Sequence, residues 1–174
     1  MIALTRRAAG VAAFALLTAA LASTAGRPDS ALSDGETGGT LTVNGKVTKV
    51  AFAYARSVPD PFDSNAKGVL VIVSDVALDA KALGDDFARI HLSEKGKLHA
   101  LEITLDGSGK PIAADWRHDG FKEAAPSGLS SADVFTKKTL DDKNIEGGYK
   151  SASEHEFFGS TFSFDVTFRA AIGH

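Results

Sequence analysis

Ser160–Ile172, STFSFDVTFRAAI, is the stretch that decides the fold class. Phe162, Phe164, Val166, Phe168 and Ala170 occupy every second position, and Ser163, Asp165, Thr167 and Arg169 stand between them. Period two marks a half-buried β-strand, because successive side chains leave the backbone on opposite sides. Three phenylalanines on one face need an apolar surface to lie against: a protein core, a membrane or a ligand. Outer-membrane strands alternate in the same way. The earlier strand-like runs of this chain, however, are short and irregular and carry no apolar outer band. The phenylalanine face is therefore expected to pack on an opposing sheet.

Upstream, GTLTVNGKVTKVAFAYA (39–55) contains Asn44-Gly45 between β-prone runs. Both residues tolerate the positive φ of a type I′ turn, which predicts a hairpin. Its second strand is expected over Val47–Ala55, with Phe52 and Tyr54 on one side. Pro59 and Pro61 predict a loop over Arg56–Lys67. GVLVIVSDVAL (68–78) is almost continuously apolar, as in a strand buried on both faces. In 79–97 the period changes. Leu83, Phe87 and Ile90 fall at i, i+4 and i+7, Asp79 can cap the N-terminus, and Gly96 can end the run. A single helix over Ala80–Ser93 is expected, with Gly84 as its weak point. Strands return on either side of Asp106-Gly-Ser-Gly-Lys110, and again over 133–140. The last 28 or so residues read as a long hairpin.

Roughly eight strands and one short helix predict a mainly β domain. The favoured architecture is an antiparallel β-sandwich, immunoglobulin-like or similar. The alternative is a lipocalin-like β-barrel.

The N-terminus is set apart by composition. Arg6 and Arg7 precede the apolar run Ala8–Ala22, which ends in small residues. At about fifteen residues the run is shorter than the ~17–25 of a spanning helix, and it reads as a secretory signal peptide. Residues 1–22 are assigned to it, with cleavage as late as 25. The Arg pair admits either the general secretory or the twin-arginine route. Residues 26–38 are poor in apolar side chains and read as a flexible linker. A single β-rich domain is expected over 39–174, long enough to bury roughly two-thirds of its unfolded surface. The expected location is periplasmic or secreted, with no membrane insertion of the mature chain.

The chain has no cysteine, which excludes disulfides, thiolate metal sites and a cysteine nucleophile. Loss of Arg6 and Arg7 leaves 17 basic residues against 22 acidic ones, a net charge of −5. Such a chain is a poor candidate for nucleic acid or an anionic membrane. The runs GTLTVNGK, AYA and VLVIVSD near the start, with IEGGY and FGSTFSFDVTFRA at the end, resemble exported bacterial β-rich domains with no assigned function. The resemblance spans Gly39 to Ile172. It implies an extracytoplasmic β domain and carries over no catalytic residue.

Chemistry is sparse in the sequence. The histidines, at 91, 99, 118, 155 and 174, show no i, i+4 or His-x-His spacing, so no transition-metal site is expected. His118-Asp119 could join His155-Glu156 only if two loops meet. Asp60, Asp63 and Asn65 lack the spacing of a calcium loop and read as turn residues. PSGLSSAD (126–133) is not a nucleophile elbow, and 106–110 lacks the helix of a phosphate loop. No catalytic residue and no cofactor are assigned. Phe62 and Phe121 are aromatic residues in two long loops, and loop aromatics often meet partners. They are the candidate partner-facing residues, although the plainer reading is that they plug the ends of the fold, because a small domain needs its aromatics inside. The function expected first is a non-enzymatic interaction or accessory module, its partner unknown, with an envelope protein as the candidate. A carrier of a small apolar ligand comes second and a hydrolase without a recognisable motif third.

Overall fold

The computed structural model describes Leu32, residues 34–63 and residues 65–173. The signal-peptide expectation, and most of the linker expectation, lie outside these residues. The elements in order are β1 (Glu36–Val43), β2 (Lys46–Lys49), β3 (Phe52–Pro59), β4 (Lys67–Ser74), α1 (Ala80–Gly84), α2 (Asp86–Glu94), β5 (Ala100–Leu105), β6 (Pro111–Arg117), β7 (Val134–Leu140), β8 (Asn144–Lys150), β9 (His155–Phe157) and β10 (Ser160–Gly173). The chain is mainly β, and its strands form one curled antiparallel sheet, a half-barrel. The order is β6-β5-β4-β3-β1-β10-β8-β7, with β2 on β1 and β9 on β10. No second, separate sheet faces it among the described residues.

β10 is the spine. It pairs with β1 on one side (Phe164 opposite Leu41) and with β8 on the other (Phe168 opposite Gly147). Past the start of β1 it runs on to meet β3 in a short parallel contact, Ile172 opposite Ala55. Phe162, Phe164, Val166, Phe168 and Ala170 all enter one core with Leu41, Val71, Ile103, Trp116 and Tyr149. The phenylalanine face thus lies against the rest of its own curled sheet. Curling lets one sheet cover its own apolar face, so alternation in a single strand does not distinguish a curled sheet from two stacked ones.

β4 is buried on both sides, as its apolar run predicts. Val69, Val71 and Val73 join the inner core, while Leu70 and Ile72 form an outer cluster with Leu78, Ala82 and Leu98. The hairpin turn at Asn44-Gly45 has the required positive φ values of 49° and 76°, and Phe158-Gly159 repeats the pattern at 45° and 67°.

Several expectations are corrected. β1 begins at Glu36, inside the stretch read as linker. Gly39 allows this, because a Cβ there would stand 1.9 Å from the Asp165 carbonyl oxygen on β10. The single helix is two. Asp85 takes extended backbone and caps the second helix, its carboxylate accepting from the Phe87 N–H at 3.0 Å. The break resets the helical phase, so Phe87 is 74% exposed while Arg89 and Ser93 turn inward. β3 runs to Pro59, which pairs with Lys67, so the loop shrinks to 60–66. The expected strand 47–55 divides into β2 and β3 around Val50 and Ala51.

Arg89 is the largest fully buried side chain and is 1% exposed. Its guanidinium grips Glu102 on β5 through Nε (2.8 Å) and Nη2 (3.0 Å), and Nη1 donates to the Ala82 carbonyl at 2.7 Å. Arg117 on β6 adds a second cation, with Nε 2.9 Å from Glu102 and Nη2 2.5 Å from Asp86. This network fastens α2 to the outside of the sheet.

Candidate functional site

β6 and β7 end the strand order, so a seam runs between them where the sheet does not close. At one end the edges touch: Lys137 Nζ on β7 donates to the Ser108 carbonyl in the β5–β6 turn at 2.7 Å. At the other end the 118–133 connection crosses the gap. It pairs along β6, with the Trp116 N–H donating to the Pro126 carbonyl (3.1 Å) and the Gly128 N–H to the Ala114 carbonyl (2.8 Å). Ser127 also donates to the Asp115 carboxylate.

Beneath this connection lies a cavity of about 200 Å³, continuous with the inner face of the half-barrel. Trp116, Phe157, Phe162 and Phe164 supply aromatic wall, and Tyr149, His155, Asp133 and Ser130 supply the polar groups. The residues reach it for simple reasons. Trp116, Phe162, Phe164 and Tyr149 are inward positions of β6, β10 and β8. His155 arrives on β9, the short strand made by the Phe158-Gly159 turn. Asp133 sits just before β7 and is held by the Ala152 N–H at 3.1 Å.

His155 Nε2 lies 2.8 Å from Asp133 Oδ1, and the Asp133 side chain is 4% exposed. Tyr149 is pushed up to about 12, first by burial and then by the negative charge of Asp133. It therefore stays a neutral phenol at every physiological pH. Tyr149 and Trp116 are each 3% exposed. The phenol and the indole thus bring two polar groups to an otherwise apolar wall.

A second cluster lies at the far end of the β5–β6 hairpin. His99 Nδ1 is 2.6 Å from Asp75 Oδ2, and His99 Nε2 is 2.9 Å from Asp119 Oδ1. His99 thus bridges two carboxylates through its two ring nitrogens. His118 is buried beside it, with ring centroids 4.2 Å apart. Burial, then the charge of His99, lowers the His118 pKa to about 4. The hydrogen bond from His99 holds the Asp119 carboxyl below its ordinary range.

The sequence-picked residues divide. Phe62 is 81% exposed at the tip of the β3–β4 turn. Phe121 is half-buried and packs edge-on against Trp116 (5.6 Å between ring centroids) and Phe162 (5.7 Å). The Asp60 carboxylate accepts N–H groups of Phe62, Asp63 and Gly107, which fix the turn. The loops bearing His118 and His155 are not brought into one site. His118 meets Phe121, Phe121 meets Phe162, and Phe162 meets His155, so two rings stand between them. His91 is exposed beside Glu94, and His174 lies outside the described residues.

Sequence reasoning missed Asp75, Asp133, Tyr149 and the His99–His118 contact. The hairpin register carried a signal for the last. Ala100 pairs with Arg117, so one step further His99 faces His118, but only because a bulge at Thr104/Leu105 shifts the count by one.

A further cavity, of about 650 Å³, is an apolar groove on the outer face beside α1, lined by Tyr54, Arg56, Leu70, Ile72 and Leu83. Its rim includes Asp34 and Gly35, where the continuously described chain begins. No helix among the described residues is long and apolar enough to cross a membrane. No protein-family model, no curated protein and no solved structure matches the chain.

Proposed function

We propose that this protein is an exported binding domain whose seam cavity takes a small ring-shaped molecule bearing one polar group. The observation that carries this reading is the placement of the Tyr149 phenol and the Trp116 indole, beside the His155–Asp133 pair, in an otherwise aromatic wall. Small-molecule sites combine an apolar lining with a few placed polar groups. A cavity of this size is below the volume of drug-sized pockets and suits a single ring, as benzene suits a ~150 Å³ cavity. His155, Asp133 and Tyr149 offer a donor and acceptors to a hydroxyl or ring N–H. The architecture implied is the barrel alternative: one sheet whose end strands meet through Lys137 and Ser108 but stay open above the cavity. Export rests on the signal-peptide character of residues 1–22.

Trp116 is the only tryptophan in the chain, so its fluorescence reports the cavity directly. Titration with phenol or indole should give a saturable change in the parent. Ala114→Phe, which fills the cavity wall, should abolish it, and Tyr149→Phe should weaken it several-fold. No saturable change with either compound, or equal affinity in Ala114→Phe, would overturn the reading.

The exposure of Phe62 supports a second reading, the interaction module. An isolated aromatic on a tight, hydrogen-bonded turn is the form a partner-facing anchor takes. The two readings use opposite ends of the molecule and are separable by mutation.

A further inference from the structure

His99, His118 and Asp119 converge from the start of β5 and the end of β6 at a place the seam ligand does not reach. His99 Nε2 lies 2.9 Å and His118 Nδ1 3.5 Å from the same Asp119 oxygen. The three candidate donor atoms all fall within 4.8 Å of one another. Ligands about 2.0–2.1 Å from a tetrahedral zinc ion stand roughly 3.3 Å apart. The two distances to Asp119 are close to that spacing without any rearrangement of the backbone. We propose that His99, His118 and Asp119 form a binding site for a divalent transition-metal ion of the zinc type.

The donor set argues for that class. Two imidazole nitrogens and one carboxylate, with no thiolate in the chain, suit zinc and its first-row neighbours. Calcium and magnesium prefer oxygen-only shells. Behind the ligands, Asp75 does what a supporting carboxylate does at metal sites. Its Oδ2 holds His99 Nδ1 at 2.6 Å, and its Oδ1 accepts the His99 backbone N–H at 2.9 Å. The ring is thereby oriented with Nε2 toward Asp119, as in carboxylate–histidine–metal triads. The His118 side chain is fully buried, so its ring is fixed as well. Its Nδ1 now accepts the Gly120 N–H at 2.9 Å, and a cation would replace that hydrogen bond and the one between His99 Nε2 and Asp119.

Three protein ligands leave a coordination position free. His118 and Asp119 line a cleft of about 510 Å³, together with Glu94, Arg117 and Phe121. Asp119 is the partly exposed member and faces solvent from it. Three ligands with one open place is the pattern of sites that exchange a bound water or a substrate atom, as opposed to closed structural sites.

The local spacing of the histidines in the chain does not reveal this site, because Asp75, His99 and Asp119 belong to three different turns. The opposing account is that Asp75–His99–Asp119 is an ion-pair clamp that needs no metal. Calorimetric titration of the chelator-stripped protein with zinc chloride separates the two. The site predicts one-to-one binding, matched by the visible absorption of a cobalt(II) complex with nitrogen and oxygen ligands. Asp119→Asn, on the exposed side and compatible with the fold, should abolish binding. Asp75→Asn should weaken it by about 10–100-fold. His155→Ala combined with His91→Ala should leave it unchanged. Circular dichroism of each variant identifies any that fails to fold, and Asp119→Asn serves where His118→Ala does not. Absence of stoichiometric zinc binding in the parent, or parent-like binding by folded Asp119→Asn, would show that the cluster is only a clamp.

Discussion

The two faces of the curled sheet are held by opposite means. The inner face is a continuous apolar layer in which Phe168, Leu41 and Ile103 are fully buried, and it has one polar corner at Tyr149, His155 and Asp133. The outer face under α2 is fastened by ions: Arg89, 1% exposed, locked to Glu102, 3% exposed, with Arg117 and Asp86 around them. Apolar contacts tolerate small shifts in register and orientation. A bidentate guanidinium–carboxylate pair does not, because its hydrogen bonds fix both partners in one plane. The difference suggests a division of labour. The inner layer supplies the stability, and the ion cluster specifies where two short helices sit on a surface that is otherwise slippery.

The strongest way to break the inner layer is Phe168→Ala. Phe168 is fully buried at the centre of β10, and its loss should cost about 3–5 kcal/mol, read as a fall in the denaturant midpoint. Asp165→Ala on the outward side of the same strand should stay within about 0.5 kcal/mol. Equal losses in the two variants would remove the distinction between the faces.

On the outer face, Glu102→Gln leaves the Arg89 charge buried without its carboxylate and should cost about 3 kcal/mol. The sharper test is the double replacement Arg89→Met with Glu102→Leu. Two apolar residues of similar volume should restore parent-like stability. If they do so while the α2 amides lose hydrogen-exchange protection, the ions set position. If the double variant is as unstable as the single one, the pair contributes to stability directly.

How much of this could be seen in the chain depends on the range of the forces involved. β10, the Asn44-Gly45 hairpin and the doubly buried β4 are written in residues next to one another, so period and turn chemistry expose them. The helix phase was not readable, because a capping aspartate, Asp85, follows Gly84 and restarts the count. Whether one sheet curls or two sheets stack depends on which distant edges approach, and no local pattern encodes the meeting of Lys137 with Ser108. The candidate sites are less visible for the same reason. Asp133 and His155 are 22 residues apart, and Asp75 meets His99 across the whole helical insertion. Buried Tyr149 looked like any strand tyrosine.

The polar corner of the inner face gives a pH signature. The Tyr149 phenol keeps its proton up to about pH 12 in the folded state, against an ordinary 10.0. Between these values the folded protein binds more protons than the unfolded chain. The contribution is therefore complete below pH 10 and is lost as pH rises through 12. Between pH 9 and pH 11 the loss should be about 1.3 kcal/mol, measured as the difference between the parent and Tyr149→Phe in unfolding midpoints at the two pH values. An identical alkaline decline in both proteins would mean that the phenol is not buried against Asp133.

The smallest stability effect expected is at Phe62, and its smallness is what makes it informative. Phe121 packs edge-on against Trp116, Phe162 and His118, so it belongs to the inner layer's rim. Phe121→Ala should lower stability by about 1–3 kcal/mol and change Trp116 fluorescence. Phe62 touches solvent over most of its surface, and the Asp60 turn that carries it is closed by backbone donors, so Phe62→Ala should stay within about 0.5 kcal/mol of the parent. The turn cannot need the ring for its own geometry, since Asp60 accepts from the backbone N–H of residue 62 whatever its side chain. An exposed phenylalanine with no structural task is then available for a partner. Loss of a captured envelope component in Phe62→Ala, with melting unchanged, would assign the turn to an interface. Retention of every component captured by the parent would leave binding to the seam cavity alone.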